Sequence, residues 1–286
     1  MNLKKYNPSP MQIRSLIGDG CYQPFTFTDK FISGIAYSWI TGELIIAMDK
    51  ANDIAYQWQA PNLPLKEINN YITEKNWELF VECNIRLQNM YDSWIDYTLK
   101  AVDYPLDYSV IDTASNAGYF LYKFKEKGAG KCIGYDLLDF SEVFNTLNHL
   151  TGFDVEFFNK SYNMNNHTIA DCPSADIVIS SAIMCHLSDP LNYLTFLGSI
   201  TKKALLLFTS VDDTDTYQII YDGAKVFYPD ARFPNCFDAN THISKGVLMF
   251  GLKELGFSEI IELPYSDSWI PWENYKKFKT IVALKE

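Results

Sequence analysis

From residue 107 onward the chain alternates short apolar runs with amphipathic helical segments, and this alternation constrains the fold more than any other feature. Runs such as Ile177–Val178–Ile179 are apolar throughout, which is typical of strands covered on both faces of a parallel sheet. Strands that alternate with helical segments indicate right-handed crossover units. The pattern therefore predicts an α/β fold with a doubly wound, mostly parallel seven-stranded sheet and an antiparallel strand at its C-terminal edge.

The order of the elements can be predicted along this part of the chain. Strands are predicted over 108–112, 131–136, 155–158, 176–181, 204–209, 258–263 and 279–284. Helices are predicted over 118–127 and 141–150, from the Asp189–Pro190 pair, and between Ser244 and Gly256. Asp and Ser favour the N-cap position, Pro favours the first helical position, and glycine is suited to the residue after a helix.

Residues 1 to about 100 have a different character, because they are rich in aromatic side chains and lack the strand–helix alternation. Apolar residues recur at spacings of three and four over 65–99, which predicts about two helices. The sequence thus divides into an N-terminal, mainly helical cap (1–100), which we expect to select the substrate, and a ligand-binding domain (101–286). Residues 210–243 form a long insert after the fifth strand, and its aromatic content favours an ordered wall of the substrate pocket.

Composition disfavours several classes of partner. The net charge is −11 and the pI is about 4.8, whereas nucleic-acid affinity depends on Lys and Arg. The six cysteines form no CxxC pair and the four histidines have no metal-ligand spacing, so no metal is expected.

The same composition bears on where the protein is expected to act. The most apolar long window, 31–48, is interrupted by Gly34, Gly42 and Glu43, which argues against a membrane span. The N-terminal residues show no apolar segment of the signal-peptide kind. Together with the cysteine usage, these features predict a cytoplasmic protein.

The first predicted strand, its loop and the following helix carry the strongest functional signal. Asp112 ends the strand, the loop over 113–118 contains mostly small residues, and the helix starts near Gly118. In doubly wound folds, ligands bind at the carboxyl ends of the strands, where small residues allow close approach and a helix N-terminus offers N–H groups. A second carboxylate, Asp136, ends the next strand, and an acid at that position typically binds ribose hydroxyls.

These segments resemble those of a known family. Residues 112–120, DTASNAGYF, resemble the first motif of the class I S-adenosylmethionine-dependent methyltransferases, in which an acidic residue precedes a glycine-rich loop. Asp136 resembles the second-strand acid of that family, and 175–190, ADIVISSAIMCHLSDP, resemble its fourth-strand motif. The resemblance covers roughly residues 105 to 285 and includes the order of the three motifs.

The resemblance implies a Rossmann-like methyltransferase fold and S-adenosylmethionine as the cofactor. The acidic charge balance of the chain favours a small-molecule acceptor. The resemblance also implies that Asp136 holds the ribose, that 114–118 hold the methionine portion, and that 161–162 contact the adenine. His186 is the candidate catalytic residue, as a group that accepts or orients the proton of the acceptor. The candidate cofactor-binding residues are Asp112, Ala114, Ser115, Asn116, Gly118, Tyr119, Phe120, Asp136, Leu137, Ser161, Tyr162, Ser180 and Ser181.

The loop departs from the family pattern, since only Gly118 occupies one of its three usual glycine positions. Ala114 and Asn116 occupy the others, and Asn tolerates a left-handed backbone better than most residues. This departure motivates one alternative, a non-catalytic binding module of the same fold. A nicotinamide-dependent oxidoreductase is a second alternative, although the glycine-poor loop weakens it. A transfer-RNA-modifying methyltransferase is a third. The transfer-RNA alternative rests on 17–24, which faintly resemble the wobble-uridine-modifying branch of the family. The identity of the acceptor and the oligomeric state stay open.

Overall fold

The structure is a computed structural model, and it describes residues 25–28, 31–33, 74–222, 240–264 and 277–286. Most of the predicted cap, the centre of the 210–243 insert and the segment 17–24 lie outside the described residues. The described elements are β1 (Phe25–Thr28), β2 (Phe31–Ser33), α1 (Glu74–Ala101), β3 (Ser109–Asp112), α2 (Tyr119–Glu126), β4 (Lys131–Tyr135), α3 (Ser141–Thr151), β5 (Glu156–Phe158), β6 (Ala175–Ser181), α4 (Pro190–Ile200), β7 (Thr201–Asp212), β8 (Ile219–Asp222), β9 (Asn240–Ser244), α5 (Lys245–Glu254), β10 (Glu259–Glu262) and β11 (Phe278–Leu284). A short 3₁₀ turn, Met184–His186, follows β6.

Seven strands form the main sheet in the order β10-β11-β7-β6-β3-β4-β5. Strands β3, β4, β5, β6 and β7 pair in parallel, and β11 pairs antiparallel with both β7 and β10. The predicted doubly wound, mostly parallel sheet is therefore confirmed. Strand β3, the first strand of this sheet in the chain, lies between β4 and β6. The strand order therefore reverses beside β3, where doubly wound folds bind ligands.

The prediction of an antiparallel strand at the edge was wrong in its position. The antiparallel strand β11 lies inside the sheet, and β10 forms the edge. Residues 280–283 of β11 are buried, whereas β10 begins and ends with the exposed Glu259 and Glu262. The more apolar strand takes the covered position, and charged residues at the edge discourage further pairing.

The hairpin of β8 and β9 adds to the sheet beyond the seven predicted strands. Strand β9 pairs in parallel with the end of β7 at Val211 and Asp212, and β8 pairs antiparallel with β9. Strand β8 and all but the last residue of β9 come from the 210–243 insert. The described ends of the insert therefore extend the sheet at the carboxyl end of β7.

Helix α1 differs from the prediction of about two helices over 65–99. A single helix runs from Glu74 to Ala101, and residues 65–73 lie outside the described residues. The helix continues because its sequence contains neither Gly nor Pro, the residues that most often break or kink a helix.

Helix α1 packs against the same apolar layer as the sheet. Met90, Tyr91, Trp94, Ile95 and Leu99 are buried in the core shared with α2, α3 and one face of the sheet. A second apolar layer, with α4 and α5, covers the opposite face. This arrangement explains why the central strands are apolar on both sides.

The predicted helix boundaries are confirmed by the capping contacts. The Asp189 carboxylate accepts a hydrogen bond from the Asn192 N–H at 3.3 Å at the start of α4. The Ser244 hydroxyl accepts from the Val247 N–H at 3.4 Å at the start of α5. Gly128 and Gly152 have φ of 98° and 73° after α2 and α3, in the left-handed region that glycine adopts readily.

Candidate functional site

The carboxyl ends of β3 and β4 bring together the two acidic residues that the sequence singled out. Asp112 is the last residue of β3 and pairs in register with Gly134 of β4, and Asp136 follows the end of β4. The loop over 113–118 connects β3 to α2 and crosses this edge of the sheet. The structure therefore brings both carboxylates and the small-residue loop into one place, as predicted.

The Asp112 carboxyl is fully buried. Its Oδ1 accepts a hydrogen bond from the Ala114 N–H at 3.2 Å, and its Oδ2 has no hydrogen-bond partner among the described residues. Burial raises the pKa of this carboxyl to about 8; the charge of Asp136 adds to the rise and the Ala114 N–H opposes it. A buried acceptor without a partner is costly in a folded protein, and it is typical of a site that a ligand completes.

The Asp136 carboxylate accepts two backbone hydrogen bonds. Its Oδ2 accepts from the Asn116 N–H at 2.8 Å, and its Oδ1 accepts from the Leu138 N–H at 2.9 Å. Partial burial raises its pKa, and the backbone N–H groups of Leu138, Asn116 and Leu137 oppose that rise. Each carboxylate oxygen can accept more than one hydrogen bond, so Asp136 retains acceptor capacity for the hydroxyl groups of a ligand.

The loop forms a tight turn although it contains one glycine only. Asn116 adopts φ 49° and Gly118 adopts φ 82°, both in the left-handed region. A Cβ atom at Gly118 would lie 2.6 Å from Cζ of Phe144, so this position requires glycine for space as well as for conformation. Asn116 takes the other left-handed position, which Asn tolerates, and this explains how the loop closes without a second glycine.

A chain of buried hydroxyl groups holds the start of the loop to β6. The Thr113 hydroxyl donates to the Ile179 carbonyl at 3.0 Å and lies 2.7 Å from the Tyr193 hydroxyl, which lies 3.1 Å from that of Ser180. Each hydroxyl has one proton, so Tyr193 donates to Thr113 and Ser180 donates to Tyr193. Ser180 is therefore placed beside Tyr193 in the interior, and its contact with a cofactor remains a prediction.

The side chains of Tyr119 and Phe120 face the core. Both are fully buried; the Tyr119 hydroxyl donates to Asp92 Oδ1 of α1 at 2.6 Å, and the Phe120 ring lies 4.9 Å from that of Tyr91. These contacts connect the first turn of α2 to α1. Their side chains are thus structural, and the predicted cofactor contact at these two positions would fall to the backbone.

The remaining predicted residues lie around this edge of the sheet. Tyr162 packs its ring against those of Tyr193 and Phe196, at centroid distances of 4.8 and 5.5 Å. Ser161, Leu137 and Ser181 are half-buried, and His186 is exposed on the 3₁₀ turn after β6. Their roles toward a cofactor or an acceptor stay predictions.

Three residues of the site were not predicted from the sequence. Gly134 lies under the loop, Tyr193 forms the centre of the hydroxyl chain, and Asn159 donates from its amide to the carbonyls of Asp136 and Leu137 at 3.1 and 2.8 Å. Gly134 could have been noticed as a glycine inside a strand, which often marks a close backbone approach. No local sequence signal marks Tyr193 or Asn159, because their partners are distant in sequence.

The described residues also bear on metal binding and on membrane insertion. The described ranges contain no group of three or more His, Cys, Asp or Glu residues placed to hold a metal ion. Among the helices of the described part, none is long and apolar enough to cross a membrane.

Comparison with known proteins identifies solved structures that share the fold. No family model matches the chain, and no curated protein matches it. Among solved structures it is similar to magnesium protoporphyrin IX methyltransferase from Synechocystis PCC 6803 with bound S-adenosylhomocysteine, with a TM-score of 0.50 and 11% identity over 77% of this chain and 99% of that one. An O-methyltransferase family protein from Burkholderia thailandensis gives a TM-score of 0.48 and 14% identity over 86% of this chain and 72% of that one.

The strand order and the first of these similarities define the fold class. The chain has the Rossmann-like fold of class I S-adenosylmethionine-dependent methyltransferases. The family resemblance stated from residues 112–120, Asp136 and 175–190 is thus confirmed at the level of the fold. At this identity the similarity defines the architecture, and the activity has to be argued from the site.

Proposed function

We propose that this protein is an S-adenosylmethionine-dependent methyltransferase that acts on a small-molecule acceptor. The observation that carries the proposal is the pair of carboxylates at the ends of two adjacent parallel strands. Asp112 has a buried oxygen that no described residue hydrogen-bonds, and Asp136 retains acceptor capacity at the position where Rossmann-like folds bind ribose. The magnesium protoporphyrin IX methyltransferase, which shares the fold, holds S-adenosylhomocysteine.

The residues present fit an adenosyl cofactor. Asp136 would hold the ribose hydroxyls, and the loop over 113–118 with the start of α2 would hold the methionine portion through backbone groups. Asp112 is uncharged over much of the neutral pH range, since its pKa is about 8, and a nearby cation would favour its ionised form. S-adenosylmethionine carries both a sulfonium and an ammonium group.

When bound, S-adenosylmethionine supplies a methyl group that its sulfonium already makes electrophilic. The protein then has to align the acceptor and to exclude water, and neither task requires a metal or an activated nucleophile. His186 is the candidate for receiving or orienting the acceptor's proton, and Ser161, Tyr162 and Ser181 are candidates for contact with the bound molecules. The N-terminal cap and the insert are proposed to select the acceptor.

The placement of the hairpin supports a role for the insert in selecting the acceptor. Strand β9 joins the sheet at the carboxyl end of β7, and the Thr241 hydroxyl donates to the Leu187 carbonyl at 3.1 Å, one residue after His186. The insert therefore contacts the loop that follows β6. This loop is on the same edge of the sheet as Asp112 and Asp136.

The test is calorimetric titration of S-adenosylhomocysteine into the wild-type protein, Asp136→Ala and Asp154→Ala. Loss of hydrogen bonds to a charged partner costs about 1.5–3 kcal/mol, so we expect Asp136→Ala to weaken binding roughly tenfold to hundredfold. Asp154 is an exposed carboxylate paired with Lys125 at 2.7 Å, and its removal is the matched control. Absence of binding to the wild-type protein would overturn the cofactor assignment, whereas unchanged binding to Asp136→Ala would overturn only the role of Asp136.

A further inference from the structure

Gly134 lies on β4 at the place where the loop over 113–118 crosses the strand. A Cβ atom at this position would lie 2.6 Å from Oγ of Ser115, 3.0 Å from Cβ of Ser115 and 2.9 Å from Cδ1 of Leu121. Non-bonded carbon atoms prefer separations of about 3.5–4.0 Å, so a methyl group does not fit unless the loop moves. The Leu121 contact involves the flexible end of a side chain, whereas Ser115 is fully buried and belongs to the loop itself.

The loop is attached at three successive residues, which are the last two of β4 and the residue that follows it. The Ser115 side chain lies over Gly134, the Ser115 N–H donates to the Tyr135 carbonyl at 2.8 Å, and the Asn116 N–H donates to Asp136 Oδ2 at 2.8 Å. These contacts follow one another in register along the strand. Asn116 follows Ser115 directly in the chain. The distance between Ser115 and Gly134 therefore also affects whether the Asn116 N–H can reach the Asp136 carboxylate.

We infer that Gly134 is a positioning residue, because the absence of a side chain there allows Ser115 to pack against β4. This packing places the Asn116 N–H on the Asp136 carboxylate and so sets the orientation of that carboxylate for an adenosyl ligand. The ligand in this statement rests on the proposed function. The requirement at position 134 is for space, and it differs from the requirement at Gly118, which also includes a left-handed backbone. The loop has only one of its usual glycines. Part of the space that the tight loop needs is provided instead by Gly134 on β4, which has no side chain.

The first test compares binding of S-adenosylhomocysteine by calorimetry in four proteins: wild type, Gly134→Ala, Ser115→Gly and the double variant. We expect Gly134→Ala to weaken binding roughly tenfold to hundredfold, the range expected when the hydrogen bonds between Asp136 and the ligand are lost. Ser115→Gly removes both Ser115 atoms that the added methyl would meet. The double variant is therefore expected to bind as Ser115→Gly does.

The matched control is Gly251→Ala in α5. A Cβ atom there would lie 3.1 Å from Cδ2 of Leu194, so it also crowds the interior, but on the face of the sheet that α4 and α5 cover. We expect its binding to equal that of the wild type. Equal weakening in this control and in Gly134→Ala would mean that crowding of any interior position acts on the site, and would overturn the inference.

The second test needs no ligand and measures the pKa of the Asp136 carboxyl by NMR with carboxyl-labelled aspartate. The Asn116 N–H lowers this pKa in the folded protein, so losing that hydrogen bond in Gly134→Ala raises it. The double variant is expected to restore the value found in Ser115→Gly, and Gly251→Ala to leave the wild-type value unchanged. A change in stability alone would not move the pKa in this pattern.

The two tests separate the inference from the proposed function. If the wild-type protein does not bind the ligand, the proposed function fails, and the NMR result alone decides the positioning role. If the wild-type protein binds and Gly134→Ala has the affinity and Asp136 pKa of the wild type, the inference fails and the proposed function stands. If Gly134→Ala does not fold, restored folding in the double variant supports the inference, and an unfolded double variant overturns it.

Discussion

At the residue scale, the protein keeps a carboxyl group in its interior without satisfying both of its oxygens. Asp112 is fully buried between β4 and β6, and only its Oδ1 receives a hydrogen bond among the described residues. Thr113 next to it belongs to the chain of hydroxyls with Tyr193 and Ser180. The site is therefore built around a group whose ionisation is costly in the folded protein.

The raised pKa of Asp112 predicts how stability depends on pH. An Asp carboxyl ionises near 3.8 in the unfolded chain, whereas in the folded protein the pKa is about 8. Between these values the folded state binds more protons, so this residue lowers the free energy of unfolding by about 1.4 kcal/mol for each unit that the pH rises. We expect Asp112→Asn to remove that contribution, with the stability difference from wild type growing from pH 4 to pH 8.

Urea unfolding of the wild type and of Asp112→Asn at several pH values between 4 and 9 measures this difference. Asn retains one oxygen that can accept from the Ala114 N–H, so the variant removes the ionisable group with little change of shape. Asp136 is present in both proteins and its own titration is largely common to the two curves. A stability difference that stays constant with pH would contradict the prediction.

At the element scale, helix α1 is part of the core of the sheet domain. Trp94 is 2% exposed, and its ring lies 4.8 Å from Phe208 of β7 and 5.1 Å from Tyr91. The Asp92 carboxylate accepts from Tyr119 at 2.6 Å and pairs with Lys123 at 3.4 Å. The helix thus connects the N-terminal region to the first turn of α2, directly after the loop of the site.

We expect Trp94→Ala to lower the free energy of unfolding by about 3–5 kcal/mol, because it removes a large buried aromatic side chain and leaves a cavity. Since α1 shares the core with the sheet, the whole transition is expected to shift, and no separate early transition should form. Urea unfolding followed by both fluorescence and far-UV circular dichroism measures this. Tyr97→Ala, a 44% exposed residue on the same helix, is the control and should change stability by less than about 0.5 kcal/mol.

The element scale also shows how strand pairing assembles the site. The register of β3 with β4 puts Asp112 opposite Gly134. The loop after β3 then crosses β4, which ends two residues before Leu137. The parallel register of β3 with β6 puts Asp112 opposite Ile179. The place of Asp112 in the candidate site is therefore fixed by pairing between segments that are distant in the chain.

At the scale of the whole molecule, the net charge of −11 bears on the class of acceptor. The chain has 35 acidic and 24 basic residues, so its net charge repels a polyanion such as transfer RNA. Nucleic-acid affinity instead depends on an excess of Lys and Arg at the contact. The charge therefore supports the proposed small-molecule acceptor over the transfer-RNA alternative.

Incubation with S-adenosylmethionine labelled in its methyl group and with a cell extract separated by size checks this prediction. We expect label in the small-molecule fraction and no protein-dependent label in the transfer-RNA fraction. Asp136→Ala serves as the control for transfer that depends on the site. Label confined to RNA would reverse the acceptor assignment, and binding of the cofactor without transfer to any fraction would favour the non-catalytic alternative.

The sequence by itself determined the class of fold, the seven strands of the main sheet and the four helices between them in chain order, and the carboxylates at the ends of β3 and β4. This was achievable because apolar runs, caps at Asp189 and Ser244, and acids at strand ends are local signals. It also indicated that Gly118 is the one glycine at the usual loop positions and that Asn116 can tolerate a left-handed backbone.

Only the tertiary structure decided the position of β11 inside the sheet and the packing of Ser115 over Gly134. It also left one buried oxygen of Asp112 without a hydrogen bond from any described residue. It also decided that Tyr119 and Phe120 face the core and that Tyr193 joins Thr113 to Ser180. Each of these depends on contacts between residues far apart in sequence, and the local pattern of side chains contains no information on which strand will lie beside which. Local propensity specifies the elements, whereas burial and close packing between them specify the site.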